Sequence, residues 1–128
     1  MAFVKSNLNP LGKNTADSPV RAIAAAAKIS YDEAFKQVAE VAFQKKLSMW
    51  EESVVEQVLK NNGFLVGKVK VPKGSKRPTV QEFAADNPNL IAVLRISHYF
   101  VACGYGNYVD TFDCGGKSIY KYYYKNID

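Results

Sequence analysis

Residues 90–112 read LIAVLRISHYFVACGYGNYVDTF, and their texture differs from everything before Pro88. The run is dense in β-branched and aromatic residues, which suit a pleated, half-buried surface. It divides into LIAVLRI, HYFVACG and NYVDTF, with GYGN (Gly104–Asn107) as a hairpin signal between the last two. Farther on, SIYKYYYKN (118–126) has the same character. These segments predict an antiparallel sheet in the C-terminal part of the chain.

Upstream the hydrophobic period is helical. Ser18-Pro19 opens an alanine-rich stretch in which Val20, Ile23, Ala24 and Ala27 share one face. Proline loses no hydrogen bond in the first turn, so Ser18 is the expected N-cap. SYDEAFKQVAEVAFQKKL (30–47) begins with a capping box, Ser30 with Glu33, and its expected buried stripe is Tyr31, Ala34, Phe35, Val38 and Ala42. SMWEESVVEQVLKNNG (48–63) repeats the logic. Ser48 and Glu51 form the box, Val54, Val55, Val58 and Leu59 face inward, and Gly63 is the stop. A short extended edge around KVKV and a basic loop from Pro72 to Pro78 follow. TVQEFAADNP then predicts a short helix boxed by Thr79 and Glu82. Helices first and strands last imply an α+β fold, with N-terminal helices packed on a C-terminal antiparallel sheet. Residues 1–13 read as an arm, and residues 14–128 as a single domain.

The chain has 128 residues, of which 48% are apolar and 23% charged, as in ordinary globular proteins. No apolar run approaches the roughly 20 residues of a membrane span. The N-terminus lacks the apolar core and cleavage site of a signal peptide. The expectation is a cytoplasmic protein without membrane partners. Two cysteines, Cys103 and Cys114, and one histidine, His98, supply no ordinary zinc site, and a reducing cytosol keeps both thiols free. Neither a metal nor an organic cofactor is expected. The net charge of +5 is a modest excess that attracts polyanions weakly. The cluster from Lys68 to Arg77 suits phosphate contacts, and Tyr120, Tyr122, Tyr123 and Tyr124 suit base stacking. A solvated sheet edge and a packed sheet face are the commoner uses of such residues. Nucleic acid is therefore not the favoured partner.

The chemistry-bearing residues are few. Ser18 sits at a helix N-terminus, where free amides and the helix dipole favour an anion. His98 begins a strand, and the next strand returns through Asp110. A two-residue turn at Tyr105-Gly106 would set Asp113 opposite His98, while one extra bulge residue would bring Asp110 to that face. A carboxylate-held imidazole acts as base and then as acid toward a nucleophile. Ser18 with His98 and either Asp110 or Asp113 is the candidate constellation. The Ser18 amide and the Asn14 side chain are oxyanion candidates.

The order of these parts resembles the papain-like cysteine peptidase fold, and more closely small bacteriophage-encoded papain-like proteins. Asp17-Ser18-Pro19-Val20-Arg21-Ala22-Ile23, followed by Tyr31-Asp32-Glu33, is similar to a nucleophile motif of the form Asp-Cys-Val-x-Arg-Ala-Ile ahead of a Tyr-x-Glu helix. PTVQEFAADNP resembles the helix before the sheet, and HYFVACGYG and VDTFDCG resemble the histidine strand and its neighbour. The resemblance spans roughly residues 14–120. It implies hydrolysis of a peptide or related amide, with position 18 attacking, His98 moving the proton and Asp110 holding the imidazole. Asp110-Thr111-Phe112 is similar in kind to the Asn-Ser-Trp segment of papain, which favours Asp110 over Asp113. The implied setting is phage-derived, in a bacterial cytoplasm, with a peptide or protein as substrate or partner. The departure is at position 18, where serine stands in place of the family's cysteine. Three readings stay open: an engineered replacement, a pseudoenzyme that binds a host or phage protein, or a working serine.

Overall fold

Both faces of the central sheet are covered, which is why LIAVLRI is apolar almost throughout instead of alternating. The computed structural model describes residues 3–127. Three helices, α1 (Ser18–Ala27), α2 (Tyr31–Lys45) and α3 (Glu52–Asn61), pack on one sheet face against Val93, Phe100, Ala102 and Tyr123. The short α4 (Val80–Asp86) packs on the other face against Ala92, Leu94, Val101 and Cys103. The observed class is mixed α and β, with a helix layer on each face of the sheet. This agrees with the expected α+β class, and the short helix expected at Thr79–Glu82 takes the sheet face opposite the first three.

The strands are β1 (Phe3–Lys5), β2 (Leu65–Lys68), β3 (Leu90–Ile96), β4 (Tyr99–Gly104), β5 (Asn107–Asp110) and β6 (Lys121–Asn126), in the order β1-β5-β4-β3-β6-β2. All pairings are antiparallel except β1 with β5, which is parallel. The expected arm at residues 1–13 therefore contributes an edge strand, although its first two residues lie outside the described residues. The predicted extended edge around KVKV falls earlier, at Leu65–Lys68, where Gly67 pairs with Tyr122. A Cβ on Gly67 would sit 2.2 Å from the Tyr122 ring, so the aromatic side chain occupies the space a larger residue would need.

Local signals and their outcomes differ element by element. Thr79 and Glu82 form the reciprocal capping box of α4. Ser30 Oγ accepts from the Glu33 amide and caps α2. Ser48 and Glu51 do not cap α3, which starts three residues later with Glu51 at the N-cap and no side-chain bond there. Phe35, expected in the stripe of α2, is 44% exposed, and Val41 is buried in that helix. The four apolar residues read into α3 are all buried. Each fully buried Val or Leu of this kind stabilises by about 1.5–3 kcal/mol, so the α3 face is a principal anchor of the helical layer.

The tyrosines near the C-terminus belong to packing. Tyr123 is wholly buried and donates to Glu56 Oε1 at 3.1 Å, while Tyr122 lies 4.7 Å from the Phe83 ring. Tyr120 is exposed beneath the Arg77 guanidinium, 4.6 Å from its centroid. No helix among the described residues is long and apolar enough to cross a membrane.

Candidate functional site

Helix α1 lies across β4, and this contact sets its N-terminal tip over Phe100. β5 pairs with β4 only as far as Ala102↔Val109, so the outer part of β4 has no strand beside it on that side. The Ser18 hydroxyl fills the gap: its Oγ accepts from the Phe100 amide at 3.2 Å. Ser18 is the first residue of α1, and the N-cap is Asp17, which makes no side-chain capping bond. The expected capping role of Ser18 is thus corrected. A long-range amide takes the oxygen that a local cap would have used for the first turn. Ser18 is 6% exposed, and its hydroxyl proton remains available to donate.

A cleft of about 440 Å³ opens at this tip. Ser18 and His98 both line it, together with Trp50, Glu51, Glu52 and Arg95. His98 stands in the two-residue turn between β3 and β4, exposed, with a left-handed φ of 59°. It therefore precedes β4 and does not lie within a strand. Left-handed backbone disfavours side chains bearing a Cβ, and such strain gathers at functional positions.

Asp110 is elsewhere. It ends β5, pairs by register with Lys5 of β1, and is 2% exposed. Its Oδ1 accepts from Arg21 Nη1 at 3.1 Å, from the Thr111 amide at 2.7 Å and from the Tyr99 hydroxyl. Oδ2 is buried with no hydrogen-bond partner among the described residues. His98 is not among the partners of Asp110. The turn at Tyr105-Gly106 has two residues, as in the simplest register. Under that register Asp113 would face His98, but β5 stops at Asp110. Asp113 instead accepts from the Tyr108 hydroxyl and from the Gly115 amide. Asn14 borders an adjoining depression with Lys5 and Thr111, which shares Thr15, Arg21 and Tyr99 with the Ser18 cleft. Phe112 packs on Tyr99 with ring centroids 5.6 Å apart. Of the five residues singled out from the sequence, the structure brings Ser18 and His98 to one cleft. It leaves Asp110, Asp113 and Asn14 off its border.

Behind the cleft lies a network the sequence reading contained only as part of a motif. Arg21 Nε donates to Asp17 Oδ1 at 2.7 Å, one helical turn back. Asp17 Oδ2 accepts from Asn9 at 3.0 Å and from Tyr31 at 2.8 Å. Burial works against the Asp17 carboxylate, but the bonds from Arg21, Asn9 and Tyr31 outweigh it and hold the group below its usual range. Burial also opposes the charge of Arg21. Its bonds to Asp17 and Asp110 prevail and hold the guanidinium firmly protonated. Tyr99 is pushed up to about 12, first by burial and then by the Asp110 carboxylate. The signal for this cluster was the i, i+4 spacing of Asp17 and Arg21; nothing local pointed to Asp110, 89 residues away from Arg21.

Both cysteines are free and buried. Burial pushes the Cys103 thiol up to about 12. Burial and then the Asp110 charge do the same for Cys114. Neither is a nucleophile at neutral pH. Among the described residues no three His, Cys, Asp or Glu side chains group so as to hold a metal ion. Comparison of the chain with protein-family models, with curated proteins and with solved structures finds no match.

Proposed function

We propose that this chain is a papain-like, hydrolase-type domain whose cleft takes a peptide or related amide, and that with serine at position 18 it binds without cutting. The observation that carries this reading is that Ser18, at the tip of α1, and His98 line the same cleft. An oxygen or sulfur there sits at the positive end of a helix dipole and accepts a main-chain hydrogen bond. Both features favour a thiolate over a thiol.

The ancestral step follows from those positions. A thiolate at residue 18 attacks the carbonyl carbon and forms the C–S bond. The imidazolium of His98 protonates the amine as the C–N bond breaks, and water then hydrolyses the thioester. Serine disrupts the first step, because its hydroxyl has no accessible anion at neutral pH. Asp110 is engaged by Arg21 and Tyr99, which makes its part in this reading that of a residue holding α1 against the sheet. The phage-derived origin and the bacterial cytoplasm belong to the same proposal. They rest on the motif order around Asp17–Ile23 and His98–Asp113.

The test is Ser18→Cys treated with a thiol-reactive acylating probe. Because Cys103 and Cys114 are buried and held protonated, labelling reports on the introduced thiol. The expected result is labelling at pH 7 at least tenfold faster than a free cysteine, lost when His98→Ala is added. Labelling at the free-cysteine rate and indifferent to His98→Ala would overturn the proposal.

A further inference from the structure

Trp50 is the chain's single tryptophan, and it is 65% exposed just ahead of α3. It lines the Ser18 cleft and also an adjoining cavity of about 200 Å³ shared with Tyr31, Phe35 and Met49. Its ring is thus a wall between the Ser18 cleft and a more apolar hollow. The residue after it, Glu51, borders the same cleft, is exposed, and forms no ion pair among the described residues.

The cleft's charges are otherwise accounted for. Arg95 Nε pairs with Glu52 Oε2 at 3.2 Å. Arg21 is bound by both Asp17 and Asp110. The lining carries two carboxylates, Glu51 and Glu52, and two guanidinium groups, Arg21 and Arg95; Arg21 is taken up by Asp17 and Asp110 behind the cleft and Arg95 by Glu52, so Glu51 is the lining carboxylate that no cation pairs among the described residues. This unpaired carboxylate lies directly beside the exposed indole of Trp50. An aromatic face and a free carboxylate are the two elements that recognise a cation, the first through its ring quadrupole and the second by a charge-assisted hydrogen bond.

We infer that the Trp50–Glu51 corner is a subsite for a lysine or arginine side chain of a bound peptide. The inference rests on the reading of the cleft as a peptide site and names the class of peptide it takes. The basic side chain lies across the indole with its terminal nitrogen on Glu51. The neighbouring hollow beside Tyr31 and Phe35 receives an apolar side chain of the same peptide. An acidic peptide meets like charge here and is disfavoured.

Trp50 is its own reporter, since no other tryptophan contributes to emission. The experiment titrates the full chain with three capped tripeptides, acetyl-Ala-X-Ala-amide, in which X is arginine, norleucine or glutamate. Binding is followed by tryptophan emission and by calorimetry. The expected result is a saturable response to the arginine peptide, at least fivefold tighter than to norleucine and more than tenfold tighter than to glutamate. Glu51→Gln should abolish the preference over norleucine, and Glu51→Lys should invert the order of arginine and glutamate. Position 51 is exposed and makes no side-chain capping bond, so both variants keep the fold. Equal affinity for the three peptides, or a preference that survives Glu51→Gln, overturns the inference. If the Ser18→Cys chain labels in the His98-dependent manner while no basic preference is found, the subsite falls and the hydrolase-type cleft stands. Basic preference without His98-dependent labelling leaves the subsite standing and removes the hydrolase lineage.

Discussion

The Arg21 guanidinium reaches the Asp110 carboxylate at 3.1 Å, although 89 residues separate them in the chain. This bond ties the first turn of α1 to the end of β5. Arg21 keeps Asp17 as a second partner, so losing the charge of Asp110 leaves it still paired. Losing Arg21 leaves two carboxylates, of 6% and 2% exposure, without their common cation. Asp110→Asn is therefore expected to cost about 2 kcal/mol and Arg21→Met about 3–5 kcal/mol. Urea unfolding of the two variants checks the order, and a larger loss for Asp110→Asn would contradict the account.

Asp17 makes the network pH-sensitive at the acid end. Its carboxyl is held below its unfolded value of about 3.9, so its contribution is complete above that pH. The contribution is lost as pH falls below about 3.9 and through the lower folded value. The stability difference between the wild-type chain and Asp17→Asn should be constant from pH 7 to pH 5 and shrink steadily toward pH 2. A difference that persists undiminished at pH 2 would show that packing, not charge, accounts for the residue.

Ser18 satisfies a buried main-chain amide. Ser18→Ala should cost about 1–2 kcal/mol, the usual penalty for orphaning a buried donor. The same loss would follow from removing a helix cap, so stability alone does not distinguish the two roles. Hydrogen exchange does. Exchange should quicken at the Phe100 amide while the first-turn amides of α1 keep their protection. The opposite pattern would restore Ser18 to a capping role.

His98 carries a backbone conformation that glycine adopts freely. His98→Gly should raise stability by about 0.5 kcal/mol, because relief of left-handed strain slightly exceeds the added freedom of the unfolded chain. His98→Ala keeps the strain and should give no gain. In a Ser18→Cys background both should abolish probe labelling. Thermal unfolding of the pair separates the effect of the backbone from that of the imidazole.

Much of the fold was legible in the residues themselves. The Thr79–Glu82 box, the hairpin signal of GYGN, though not its two-residue loop length, and the apolar face of Val54, Val55, Val58 and Leu59 depend on neighbours a few positions away. Steric and hydrogen-bonding preferences over such short spans are properties of the local chain. The Ser48–Glu51 pattern shows the limit: it has the spacing of a box, yet α3 starts at Glu52. Phe35 shows another, since helical period alone does not say how wide a stripe its neighbours will cover.

The site was legible as two ends without their connection. Position 18 at a helix tip follows from the order of elements, and His98, read as the first residue of a strand, falls one residue ahead of it. That they meet at one cleft, and that Asp110 turns to Arg21 and Tyr99, depends on where α1 lands on β4 and where β5 stops. Phe3–Lys5 joining the sheet edge and α4 covering the far face are decisions of the same kind. Amino-acid order dictates which groups seek burial and which backbone states each residue favours. Only the packed chain sets which distant partner satisfies a buried charge or amide, because that choice minimises unpaired polar groups over the whole interior at once.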